Sequence, residues 1–178
     1  MLPIIFTNIY SLIILGAGII PISKFNNNIY FLLGKDIAYK SWSDFGGKSD
    51  KDETRFETAI REGYEELDGF LGDIKTVENE VVNNRILKYT TQDTRHTCYL
   101  YKINYSKYLP YYFNNHHKFV KKNTPYYINN NGLYEKDEIK WYSFNELKYN
   151  QTDFREYFIE ISNYIYNDKE HIQKKMIS

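Results

Sequence analysis

The stretch from Gly46 to Gly69, GGKSDKDETRFETAIREGYEELDG, constrains the fold more than any other part of this chain. Thr54 followed three residues later by Glu57 is a capping box, which predicts a helix beginning at Thr54. Phe56, Ala59, Ile60, Gly63, Tyr64 and Leu67 then recur at the helical period and define one buried stripe. Gly63 costs about 1 kcal/mol of helix propensity, so its place in the stripe predicts close approach to a neighbouring strand. Gly69 is placed to end the helix. Glu62, Glu65 and Glu66 fall on the far side of the stripe, within about 100° of one another.

Carboxylates held so close repel and raise one another's pKa unless a cation joins them. A lone Glu-Glu pair is ordinarily a solvated helix face. Here a Gly-Gly turn, an upstream Glu53 and the Arg61-Glu62 pair accompany it. Together they predict a divalent cation, and with it phosphate chemistry.

In sequence this stretch resembles the Nudix box, Gly-x5-Glu-x7-Arg-Glu-U-x-Glu-Glu-x-Gly-U, where U is a bulky apolar residue. Gly47, Glu53, Arg61, Glu62, Glu65 and Glu66 match in type and spacing. Gly63 stands at the first U position, and Asp68-Gly69 stand where Gly-U belongs; one extra residue would restore the pattern, which predicts a slightly lengthened helix end. The resemblance implies an α/β (α+β) Nudix fold, a mixed β-sheet sandwiched between helices. It also implies hydrolysis of a nucleoside diphosphate linked to another group. Glu62, Glu65 and Glu66 would then hold Mg²⁺ or Mn²⁺, with Glu65 and Glu66 also catalytic. Glu53 and Arg61 would tie the preceding loop to the helix, and Gly46 and Gly47 would let backbone N–H groups approach the substrate. A further glutamate ahead of the late strand would serve as general base. Glu138 and Glu135 are both candidates, with Glu138 slightly favoured.

The 178 residues suit a single domain, and 42% hydrophobic with 26% charged residues is ordinary for a globular protein. Ala occurs only three times, a bias that speaks of an AT-rich coding genome and not of chemistry. The lone Cys98 excludes an internal disulfide and suits an intracellular, reducing compartment. Met1 to Ser23 carries no charged side chain, but no Lys or Arg precedes the apolar run as in a signal peptide. AGIIPIS and NNNIYFLLGKD read as a hairpin around an Asn turn. Residues 1–15 are then an apolar extension or strand too short to span a bilayer, with a membrane anchor at the N-terminus as the less favoured alternative.

ILKYTTQ and RHTCYLYKINY read as strands, and EIKWYSFNEL as a late strand entering a turn, with Trp141 in the core. Asp153 to Tyr166 reads as a closing amphipathic helix, and the Lys-rich end EHIQKKMIS as frayed. Residues 106–134 read as a long loop in which FNNHHKFVKK could form a short helix. From Arg95 to Tyr134 there is no Asp or Glu, while lysines, His116-His117 and many aromatics are present. Lys118, Lys121, Lys122, Tyr111 and Tyr112 are therefore candidate substrate contacts, since basic and stacking groups together hold phosphates and bases. For Tyr99 and Tyr101 core packing is the better reading, and an adjacent His pair is more often polar filler than a metal site.

The partner implied is a nucleotide-like pyrophosphate compound, with no DNA partner expected. A small nucleotide derivative, capped mRNA (decapping) and an inositol pyrophosphate stay open. So does an inactive nucleotide- or RNA-binding module, and the oligomeric state, a homodimer among the options.

Overall fold

The computed structural model describes residues 15–92, 95–128 and 132–177. The N-terminal extension, apart from Leu15, lies outside them. β1 (Gly16–Phe25) and β2 (Asn28–Asp36) form the hairpin read from the sequence, turning through Asn26 and Asn27, whose φ angles are +47° and +61°. Asn tolerates this left-handed region better than most residues, which is why an Asn run can make so tight a turn.

The two strands pair only near the turn, from Ile22↔Phe31 to Phe25↔Asn28. Beyond it they separate, and β3 (Trp42–Ser43) with β4 (Phe45–Lys48) fills the gap: β3 pairs β2 at Gly34↔Ser43, and β4 pairs β1 from Ile19↔Phe45 to Gly16↔Lys48. Gly18 and Gly46 face each other in this ladder, and a Cβ on Gly46 would lie 2.6 Å from the Gly18 Cα. Backbone-to-backbone contact therefore needs glycine on both sides.

α1 (Arg55–Glu66) follows, then α2 (Ile74–Asn84), β5 (Arg85–Thr90), β6 (His96–Lys102), α3 (Leu109–Asn123), β7 (Lys136–Ser143), α4 (Phe144–Tyr149), α5 (Glu156–Asn167) and α6 (Lys169–Lys175). The main path of the sheet is β3-β2-β1-β6-β5, with β7 on β2. The β1–β6 pair is parallel and the rest are antiparallel, so the sheet is mixed.

Strand alternation builds a core on each face. Ala17, Ile19, Tyr99 and Tyr101 turn to the side of α1, α2 and α3, where Ala59, Ile60, Leu67, Val77, Val81 and Phe113 meet them. Ile20, Ile22, Cys98 and Leu100 turn to the other, against Phe144, Leu147, Phe158, Ile161, Ile165 and Ile172. A mixed sheet sandwiched between helices is the fold class expected. Trp141 is buried as anticipated, its indole N–H donating to the Ser106 carbonyl at 2.9 Å.

Four local expectations are corrected. The segment read as a long loop contains a fifteen-residue helix, α3. Pro110 opens it, while Phe113, His117 and Val120 give it a buried stripe at i, i+4 and i+7. α2 was not anticipated; Asp73 caps it, accepting from Thr76 N–H at 2.8 Å, and Val77 and Val81 are its only buried residues. The C-terminal end is the docked helix α6, held by Ile172 and Met176, both buried. Finally, α1 is not lengthened. It ends in a Schellman turn, with Asp68 N–H donating to Glu65 O at 3.0 Å and Gly69 N–H to Tyr64 O at 3.1 Å. Asp68 and Gly69 are both left-handed, φ +50° and +69°, so the extra residue is absorbed in the turn.

Candidate active site

α1 begins where its sequence predicts: Thr54 Oγ1 accepts from Glu57 N–H and Glu57 reaches back to Thr54 N–H. Its apolar side packs on β1, with Gly63 so close to Ile19 that a Cβ would lie 2.3 Å from Cδ1. That contact turns the opposite, acidic side of α1 toward β4 and the start of β7.

Arg61 organises this side. Nε and Nη2 fork onto the two oxygens of Glu53 at 2.8 and 3.0 Å, and Nη2 also donates to Lys48 O at 3.2 Å. One guanidinium thus joins helix, strand and the intervening loop, and the planar fork makes the joint stiff. These hydrogen bonds hold Glu53 down at about 2. Nη1 donates to Glu62 Oε1 at 2.9 Å and Glu65 Oε2 at 3.0 Å, so both carboxylates bracket one nitrogen. Gly47 is required beside them, since a Cβ there would come within 2.5 Å of the Glu62 carboxylate.

Glu66 is deeper, only 3% exposed. Its Oε2 accepts the Gly46 N–H at 2.7 Å and its Oε1 lies 3.2 Å from Lys136 Nζ. Lys136 is itself 1% exposed; Nζ donates to Ser43 Oγ at 3.0 Å and lies 3.8 Å from Asp36 Oδ2. Its stem passes over Gly34, where a Cβ would meet Lys136 Cγ at 2.9 Å. Burial pushes Glu66 up to about 8, against the pull of Lys136 and with repulsion from Glu62 and Asp44. Burial likewise raises Glu62 to about 7, opposed by Arg61 and reinforced by Glu65 and Glu135. Sequence reasoning missed Lys136 and Asp36. Lys136 looks like any strand lysine until Gly34, a hundred residues earlier, is seen beneath it.

The two candidate bases are placed differently. Glu135 is half-buried, raised by burial and by the nearby Asp36 and Glu65 charges. Its own charge is felt by Glu62. Glu138 points elsewhere, ion-paired with Lys35 at 3.4 Å, with a side chain 47% exposed. The structure therefore brings Glu135, not the favoured Glu138, to the acidic face.

Gly46 lies against the site, but its N–H is taken by Glu66 and its missing Cβ serves β1–β4 packing. Tyr111, Tyr112, Lys118, Lys121 and Lys122 are all solvent-exposed on α3. His117 is instead 2% exposed, and neither ring nitrogen has a hydrogen-bond partner among the described residues.

Among the described residues no three His, Cys, Asp or Glu side chains converge as a ready metal cage. Glu62 and Glu65 point at Arg61, and Glu66 at Gly46 and Lys136. The donor set nevertheless fits a hard divalent ion: carboxylate oxygens only, two of them on groups pushed up by burial and mutual repulsion, so a cation would relieve them.

No protein-family model matches the sequence, and no curated protein is significantly similar to it. Solved structures are similar in fold. One is a bifunctional NMN adenylyltransferase/ADP ribose pyrophosphatase from Francisella tularensis, complexed with AMP and Mn ion, at TM-score 0.57 and 15% identity over 87% of this chain. This chain spans 41% of the length of that protein. Another is a Nudix hydrolase from M. smegmatis, at TM-score 0.50 and 10% identity, covering 89% of this chain and 88% of that one. The chain has the Nudix hydrolase fold.

Proposed function

We propose that this protein is a metal-dependent pyrophosphohydrolase cleaving the phosphoanhydride bond of a nucleotide derivative. The observation that carries this reading is the collection of Glu62, Glu65, Glu66 and Glu135 at one end of the sheet, next to Gly46 and Gly47, which lie within strand β4 and not in the turn expected. A fold selected only for stability has no reason to gather four carboxylates and raise the proton affinity of Glu62, Glu66 and Glu135 among them.

Glu62, Glu65 and Glu66 would hold Mg²⁺ or Mn²⁺. When bound, such an ion neutralises phosphate charge and makes a coordinated water more acidic. Glu135 takes the proton of the attacking water, whose oxygen forms the new P–O bond as the anhydride P–O bond breaks. Arg61 holds Glu62 and Glu65 in register with the Glu53 loop. Lys136, itself out of contact with solvent and substrate, fixes the Glu66 carboxyl from behind and opposes part of the rise that burial causes. The AMP and Mn ion carried by the Francisella protein support the choice of nucleotide and metal to test.

The test is a Mg²⁺- and Mn²⁺-dependent screen over nucleoside triphosphates, nucleotide sugars, dinucleoside polyphosphates, capped RNA and inositol pyrophosphates. Glu65→Gln suits it best, because Glu65 is partly open (24% exposed side chain), whereas Glu66→Gln would strand the buried Lys136. A drop in kcat of about 10²-fold or more, with unchanged Tm, is the expected result. Nucleotide binding without release of any phosphate product would replace the enzyme with a binding module.

A further inference from the structure

The basic, aromatic surface singled out in the sequence is not used by the chemistry above. α3 runs along the open edge of β7, where Asn114 Oδ1 accepts the Ile139 N–H at 2.9 Å. At its middle His116 approaches Tyr134, with Nε2 3.5 Å from the phenol oxygen, and Tyr134 N–H donates to Asp68 Oδ1 at 2.7 Å. In the same loop Gly132 packs on Glu65, where a Cβ would lie 2.8 Å from the carboxyl carbon. The middle of α3 is therefore tied to the acidic face, and each end lies about 10 Å away along the axis.

The outward side of this helix has a consistent character. Tyr108, Tyr111, Lys118 and Lys122 follow one another at helical spacing, with Tyr112 and Phe119 beside them. Each of the four aromatics is more than half exposed, from 56% at Tyr108 to 63% at Tyr111 and Phe119. Beyond the helix Tyr126 and Tyr127 sit with ring centroids 4.0 Å apart. No acidic residue occurs between Arg95 and Tyr134. At its N-terminal end the strip opens on a cleft of about 700 Å³ lined by Phe70, Leu71, Tyr101, Tyr108 and Tyr112 among others, with Glu80 of α2 on its wall. The large exposed rings serve no core, and the uniform sign of the charges on α3 itself calls for a polyanion with flat, stackable groups.

We infer that α3 is a track for single-stranded RNA, whose 5′ end enters the acidic face and whose following nucleotides lie along the outward side of the helix, over Lys118, Lys121 and Lys122. The strip is longer than a mononucleotide and suits about four nucleotides. RNA and not DNA is assigned because the phosphoanhydride that the proposed chemistry needs is carried at the 5′ end of RNA chains, as triphosphate or cap. The inference rests in that respect on the proposed function.

Two readouts on the full chain separate the two. Without divalent metal, fluorescence anisotropy compares RNA of three and of about twelve nucleotides, for the wild type and for a combined Lys118→Ser, Lys121→Ser, Lys122→Ser variant. The longer RNA should bind at least about tenfold tighter, and the triple change should erase that advantage and reduce the salt slope by about 2. Equal affinity for both lengths, or a triple variant with wild-type affinity and slope, overturns the track. Displacement of the RNA by polyglutamate at equal charge concentration assigns the surface to an acidic protein and also overturns it. With Mg²⁺, kcat/KM on 5′-triphosphate RNA should exceed that on free nucleoside triphosphate at least about tenfold. An enzyme that turns over nucleotides but shows no such preference refutes the RNA assignment alone; absence of any hydrolysis refutes the proposed function, with the binding measurement still deciding the track.

Discussion

Arg61 and Glu53 show how one pair of residues sets the shape of the site. The guanidinium meets Glu53 with two nitrogens while its third holds Glu62 and Glu65. Glu53 is held at about 2, against an ordinary value near 4.5, chiefly by those hydrogen bonds. Between these values the unfolded chain binds more protons than the native one. The stabilisation is therefore complete above about pH 4.5 and lost as pH falls toward 2. Glu53→Gln should cost about 1 kcal/mol at neutral pH, partial solvent screening included, lowering Tm by about 2–4 °C. It should also flatten the dependence of Tm on pH between 5 and 3; a wild-type slope in the variant would mean that another carboxylate sets the acid limb. The spacing of these residues was readable in the chain because they lie within two turns of one helix and its entry loop. Lys136 and Asp36 were not, since nothing local marks a lysine that will be buried.

At the level of elements, local capping signals proved dependable and silent termini did not. Thr54 and Glu57 mark the start of α1, and the structure begins the helix there. α2 carries only two buried apolar residues, Val77 and Val81, and α6 one, Ile172, with Met176 just past its end, too few to stand out against surrounding polar residues. Their helicity comes from docking onto a core that already exists. α6 offers a direct test. Ile172→Ala should lose about 2–3 kcal/mol in urea unfolding with an unchanged m-value, whereas the exposed Ile177→Ala should lose almost nothing. Equal, negligible effects would mean that the last helix contributes nothing to the folded state.

For the whole molecule, the proposed metal site at the acidic end of the sheet would couple ion binding to stability. An ion that binds only the native site stabilises it by about 2.7 kcal/mol at a hundredfold excess over Kd, several degrees in Tm for a chain of this size. Mg²⁺ or Mn²⁺ should therefore raise Tm in the wild type and much less in Glu65→Gln; equal shifts in both would place the ion elsewhere. The linear sequence by itself determined the periodic helix, its capping, its row of acids, the Asn hairpin and the alternation that gives each strand two faces. These are short-range properties, set by backbone geometry within a few residues. The tertiary structure alone decided which of Glu135 and Glu138 faces the acids, that a lysine lies buried under Glu66, and that the basic segment is a helix laid along the edge of β7. Each of these depends on atoms far apart in the chain, brought together only when β3 and β4 wedge open the first hairpin and the sheet closes over both cores.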